Sequence, residues 1–278
     1  MWVKTGHQCR SVSKLSQFLE NPGPKHWEAA IHCLLYLKGT SDLGVTYTKQ
    51  PPEWAHRLSM FVDATWADCH DTRRSTTGFV GMLNGGPVCW RSQKQPIVAQ
   101  SSCEAEFIAA CKSANEVSFL RDTLNEWGYP QPTTRIYEDN MAAKQVAHNP
   151  GALRERSKHF EIRWFKLQEL VANNVVTMTY VGTKEQIADA LTKNLSKATF
   201  IRLRDFLMGT AKFDSELQCQ ACGLNLPGAM RSLRAKLAGY SGRQLGHGLD
   251  TPDGSGGCAR WACLSASRAW QAAAIAIV

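Results

Sequence analysis

The pattern that most restricts this chain is a strand–turn–strand–helix run in its middle third. Two strand-like stretches, residues 76–83 and 87–90, meet at Asn84-Gly85-Gly86. Residues of that kind accept the left-handed backbone a tight hairpin needs. From about residue 103 to 127, Phe107, Ala110, Ala114, Val117, Leu120 and Leu124 recur at helical spacing, which predicts a long amphipathic helix. Before the hairpin lies an apolar strand, residues 58–62, ending in Asp63. After the helix, a strand at 134–137 precedes a short helix at 140–147. A further helix at 159–172, a strand at 175–181 and a last helix from about Lys184 complete the pattern. The order β-β-β-α-β-α-α-β-α implies a mixed five-stranded sheet with helices on its faces, an α/β fold.

Upstream, Asn21-Pro22-Gly23-Pro24 is a turn, and Pro24 suits the first turn of a helix. Residues 26–37 place Trp27, Ala30, Ile31, Leu34 and Leu37 on one face, and Gly39 closes the helix. Residues 43–47 alternate like a short strand. Downstream of residue 208 the character changes: glycine becomes frequent, no period is sustained, and 239–257 reads as loop. The chain therefore divides into a helical lead-in (1–57), an α/β domain (58–208) and a poorly ordered tail (209–278).

The net charge of +8 favours an anionic partner. No run of about 18 apolar residues is present, so no membrane helix is expected. The start lacks a secretory h-region, and the ten cysteines read as reduced thiols of an intracellular protein, cytoplasmic or nuclear and not secreted. In the tail, Cys219 and Cys222 form half of a zinc motif, with His247, Cys258 and Cys263 as irregularly spaced partners.

Three aspartates fall where chemistry collects. Asp63 and Asp139 end strands, and Asp189 lies on the last helix, one turn past Glu185. Ligands gather outside the carboxyl ends of strands in such sheets. Glu104 and Glu106 on the long helix offer a further acid. An Asp between strand and helix also commonly caps the helix, so position alone leaves both roles open. Acids that converge need cations between them, and Mg²⁺ is the usual hard ion for oxygen ligands.

Seven blocks in register carry a resemblance. They are Phe61-Val62-Asp63-Ala64-Thr65-Trp66-Ala67, Arg73-Arg74-Ser75-Thr76-Thr77-Gly78-Phe79, Trp90-Arg91-Ser92-Gln93-Lys94-Gln95, Ala99-Gln100-Ser101-Ser102-Cys103-Glu104-Ala105-Glu106-Phe107, Ile136-Tyr137-Glu138-Asp139-Asn140, Lys158-His159-Phe160-Glu161-Ile162-Arg163 and Gln186-Ile187-Ala188-Asp189-Ala190-Leu191-Thr192-Lys193. In this order they resemble the ribonuclease H region of copia-type retrotransposon Pol polyproteins. Residues 16–22, 26–30 and 36–40 resemble the segment that joins reverse transcriptase to it.

The resemblance implies a ribonuclease H-like fold and an endonuclease that hydrolyses the RNA strand of RNA–DNA hybrids. Its catalytic, metal-binding residues would be Asp63, Glu106, Asp139 and Asp189. They would hold two Mg²⁺ ions (or Mn²⁺) roughly 3.5–4 Å apart, one activating water and one stabilising the leaving 3′ oxygen. Partners would be the hybrid and the element's own reverse transcriptase, in cis or in trans. Arg73, Arg74, Lys94, Asn140 and Lys158 would contact nucleic acid, as Arg91, Arg154 and Arg156 could. The alternative is an inactive nucleic-acid-binding remnant.

Two departures stand out. Thr65 replaces the family's second Asp, and Glu138 replaces its usual Cys. Strand alternation turns Glu138 away from Asp139. Glu104 and Glu185 are expected to be nearby surface acids, His159 a packed or capping residue, and Trp66 and Trp90 core residues.

Overall fold

The computed structural model describes residues 9–52, 55–149 and 162–211. Its centre is one sheet of five strands in the order β3-β2-β1-β4-β5. These are β1 (Ser59–Thr65), β2 (Thr76–Leu83), β3 (Gly86–Lys94), β4 (Thr134–Glu138) and β5 (Val176–Tyr180). β1, β2 and β3 form an antiparallel meander, while β4 and β5 run parallel to β1. The expected α/β fold with a mixed, ribonuclease H-like five-stranded sheet is therefore present. The hairpin closes as anticipated, with Asn84 (φ 51°) and Gly85 (φ 78°) both left-handed.

Helices cover both faces. On one face α3 (Ser102–Glu126) lies across β1. Small residues, Ala105, Ala109, Ala110 and Ala114, let it approach closely, and Phe107 and Val117 fill the interface with Met60, Val62 and Ile136. α4 (Met141–His148) and α5 (Ile162–Ala172) pack on the same side. The other face buries Phe61, Val80 and Tyr137 under Ile187, Leu191, Leu203 and Leu207, from the segment holding α6 (Asp189–Thr192) and α7 (Lys197–Leu207). With helices on both sides, β1 is buried from Met60 to Ala64, and its odd and even residues face different cores.

The lead-in holds α1 (Cys9–Leu15) and α2 (Pro24–Gly39). α1 reaches the sheet: Lys14 Nζ meets Asp68 Oδ2 at 2.7 Å, and Arg10 bonds Asn194 Oδ1. α2 starts at Pro24 as expected but buries no residue.

Three expectations need correcting. Residues 43–47 form no strand. They make single bonds to the end of α7 and to the hairpin, Thr46 N–H to Met208 O and Tyr47 O–H to Pro87 O, which give no ladder. β1 continues two residues beyond Asp63, because Ala64 and Thr65 still pair with Thr77 and Thr76. No long helix begins at Lys184: residues 182–188 are turns, and two helices follow, the second capped by Ser196. The cause is Gln186, whose buried side chain donates to Val62 O at 2.8 Å and holds the turn against the sheet. The tail beyond residue 211 and the first part of the 159–172 helix lie outside the described residues, as do the zinc-motif cysteines.

Candidate active site

Parallel pairing brings the first two acids together. β1 and β4 align Phe61 with Tyr137, and the two rings stack at 4.6 Å. Two residues further on, that register sets Asp63 beside Asp139. α3 supplies the third acid from its first turns. Ser101 caps it by accepting from Glu104 N–H, and the Glu104 carboxylate accepts from Gln100 N–H at 2.7 Å. Glu104 is thereby spent at the exposed helix start. Glu106 points inward and is buried. One carboxylate oxygen each from Asp63, Glu106 and Asp139 lies within 4.8 Å of the other two.

Asp189 joins from the opposite face of the sheet, and a lysine makes the link. Lys193 Nζ lies 2.7 Å from Asp189 Oδ1 and 3.0 Å from Asp63 Oδ1. The Thr192 hydroxyl donates to the other oxygen of Asp63. This arrangement needs α6 very close to the sheet, and Gly78 allows it. A Cβ there would stand 2.5 Å from Thr192 Cγ2 and 2.9 Å from Leu191 Cβ. Thr65, the residue in place of the family's second Asp, donates its hydroxyl to Thr192 O at 2.9 Å. A carboxylate could not make that bond.

Burial dominates the electrostatics. Asp63 and Glu138 are wholly enclosed, and Glu106 and Asp189 nearly so. Desolvation raises the pKa of Asp63 against the opposing pull of Lys193. Desolvation, and then the charge of Glu138, raise Glu106 to about 11. Asp189 rises to about 7, from burial and from the charge of Asp63. For Lys193, burial lowers the pKa, but Asp63 and Asp189 outweigh it and leave it above its ordinary value. Alternation does turn Glu138 to the opposite face from Asp139. That face is the one α3 covers, so Glu138 comes near Glu106 and adds a fifth acid.

Among the described residues, Glu106 Oε2, Glu138 Oε2 and Asp63 Oδ1 have no hydrogen-bond donor. Lys193 pairs with the last by charge, without hydrogen-bond alignment. Buried oxygen acceptors with so few donors fit a hard divalent cation.

The basic candidates at this end of the sheet are Arg73, Arg74 and Lys94. Thr65, Thr76 and Lys94 align across β1, β2 and β3, two residues past Asp63. Arg73 and Arg74 are exposed in the adjoining loop. Lys94 Nζ lies 3.0 Å from Cys69 Sγ, and Arg91 sits over the Phe79 ring. Asn140 caps α4, accepting from Ala142 and Ala143 N–H, so only its amide NH₂ remains for a ligand. Arg154, Arg156, Lys158 and His159 lie outside the described residues. Trp66 is not a core residue: its indole N–H bonds Ala99 O, yet it is 49% exposed. Trp90 is partly buried, as expected.

Sequence reasoning passed over Lys193, Thr192, Gln186 and Gly78. Only Lys193 carried a readable signal, its i,i+4 spacing from Asp189.

No family model matches the chain. It is 34% identical over 192 residues to the retrovirus-related Pol polyprotein of transposon TNT 1-94 from Nicotiana tabacum, covering 69% of this chain and 14% of that one. It is also 41% identical over 110 residues to the secreted RxLR effector protein 161 of Plasmopara viticola, covering 40% and 75% respectively. Among solved structures, LC11-RNase H1 from compost aligns at TM-score 0.38 and 12% identity, over 49% of this chain and 93% of that one. The chain thus spans about one seventh of the polyprotein it matches. Its homologues are retrovirus-related Pol polyproteins of copia-type transposons, and its mixed five-stranded sheet is ribonuclease H-like.

Proposed function

We propose that this chain is an endonuclease that hydrolyses the RNA strand of an RNA–DNA hybrid, with residues 58–208 as the nuclease domain and 1–57 as the join to a reverse transcriptase. The observation that carries the reading is the cluster of Asp63, Glu106 and Asp139 oxygens within 4.8 Å, with Asp189 tied to it through Lys193. An all-oxygen, buried and donor-poor set suits Mg²⁺, with Mn²⁺ as a substitute. Bound divalent ions would supply Lewis acidity toward the scissile phosphate and the attacking water.

The chain's own residues set the stage for that chemistry. Asp63 lies within β1, Asp139 directly follows the parallel β4, and Glu106 lies on a capped helix packed on the sheet. Gly78, Thr65 and Gln186 hold the α6 segment in place, so that Asp189 faces the same region. Arg73, Arg74 and Lys94, with Asn140 and Lys158, would seat the phosphates beside the acids, positioning the duplex without reading its sequence. Recognition of the RNA strand would come from its 2′-hydroxyls and groove shape.

The test is cleavage of a hybrid labelled on its RNA strand, comparing wild type with Asp139→Asn. Wild type should release products with 3′-hydroxyl and 5′-phosphate ends, and the variant should bind the hybrid without cutting it. Binding without cleavage by wild type would leave a nucleic-acid-binding remnant. Equal cleavage by both proteins would place the activity elsewhere.

A further inference from the structure

The two halves of the acid site differ in how their charge is balanced. Asp63, Glu106 and Asp139 converge, and Glu106 Oε2 there has no hydrogen-bond donor among the described residues. The Asp63–Asp189 pair already has a cation: the Lys193 ammonium, 3.0 Å from one carboxylate and 2.7 Å from the other. We propose that Lys193 is a resident counter-ion, which must withdraw before Asp63 and Asp189 can share a divalent ion, and which thereby sets how tightly that half of the site takes metal. The inference rests on reading the acids as a metal centre.

Three features support it. An ammonium and a dication cannot occupy the same oxygens, because charges a few ångströms apart in a buried site repel strongly. The lysine has a way out, since its side chain is 33% exposed while those of Asp63 and Asp189 are 0% and 9% exposed. The backbone that carries the two acids does not depend on it for position. Asp63 lies within β1 and keeps the Thr192 hydroxyl, and α6 is held by Thr65 and Gln186. Removal of the ammonium leaves both acids on backbone that is held independently of it.

The experiment is a calorimetric Mg²⁺ titration of the protein without nucleic acid, for wild type and Lys193→Met. Methionine keeps an apolar stem and removes the charge. The variant should take its second Mg²⁺ about tenfold more tightly, or better, the scale on which a neighbouring charge shifts a buried equilibrium. The first ion should change less. A variant that binds the second ion no better, or worse, overturns the proposal.

Wild type gives an independent reading that needs no variant. Mg²⁺ should increase acetylation of Lys193 by an amine-reactive reagent, followed by peptide mass spectrometry, and unchanged or reduced labelling overturns the proposal. If wild type binds no Mg²⁺ at all, the metal-centre reading fails and takes this one with it. If it binds Mg²⁺ while Lys193 stays indifferent in both measurements, only the role of Lys193 fails.

Discussion

Two regions of this molecule depart from the usual rule of apolar inside and charged outside, and they do so in opposite directions. At the acid cluster, Asp63, Glu106, Glu138 and Asp189 are buried with Lys193 as the cation between two of them. On α2, Trp27, Leu34 and Leu35 are 69%, 60% and 60% exposed. Scattered exposed apolar residues are ordinary, whereas buried charge is costly unless something compensates it. The cluster therefore calls for a ligand, and the helix does not by itself call for a partner.

The largest expected effect comes from the buried side. Glu106→Gln should lower hybrid cleavage by at least about 100-fold, as expected for loss of a group that organises a metal. Glu106 is held above the neutral range by burial and by Glu138, so it is protonated without a cation and glutamine mimics that form. The metal-free melting temperature should hence barely move, while its rise on adding Mg²⁺ should shrink. A large drop in metal-free stability would show that Glu106 is a structural acid.

Next comes the packing that brings α6 to the cluster. Gly78→Ala places a methyl group against Thr192 and Leu191 and should cost about 1–3 kcal/mol by urea denaturation, the usual range for overpacking. An unchanged midpoint would mean that α6 shifts freely and that its closeness to Asp63 is not fixed.

Acidity gives a third distinction. Asp189 titrates near 7 in the folded chain and near 3.9 in an unfolded one. Between these values the folded state binds more protons, so the stability of the metal-free protein should fall as pH rises from about 4 to about 7. The shift of Glu106 acts in the same direction. Mg²⁺ favours the ionised carboxylates and should reverse the slope in a melting series across that window. Metal-free stability that climbs with pH there would contradict the buried-acid account.

The smallest effect belongs to the exposed helix. Leu34→Gln should change stability by no more than about 0.5 kcal/mol, the ordinary range for a surface site. Phe107→Ala in the core should cost about 3–5 kcal/mol. A comparable penalty at Leu34 would show that this face is covered in solution.

Much of this architecture can be read directly from the residues. The hairpin at Asn84-Gly85, the long helix starting at Ser102 and the order of strands all follow from local pattern. Asp63, Glu106 and Asp139 were singled out by their places on those elements and by resemblance, and the structure brings them together. What escaped depended on tertiary contact. Residues 43–47 alternate like a strand, yet they meet the end of a hairpin and the end of α7 through single bonds and form no ladder. Residues 184–188 look helical, but Gln186 exchanges helix for bonds to β1 and β4 backbone. Glu138 faces away from Asp139, and only the position of α3 reveals that it meets Glu106 there. Trp66 follows an apolar strand, yet it lies one residue past the end of β1, where its side chain is left largely exposed.

The central claim is that these buried acids serve hydrolysis of RNA through divalent ions. Its most direct test is a single-turnover assay on an RNA-labelled hybrid with purified wild-type protein, first stripped of metal and then supplied with Mg²⁺. The account predicts no cleavage in the stripped protein, cleavage of the RNA strand alone once Mg²⁺ is restored, and none in a parallel Asp139→Asn sample. Cleavage that persists without divalent ions, or a hybrid left intact in saturating Mg²⁺, would contradict it.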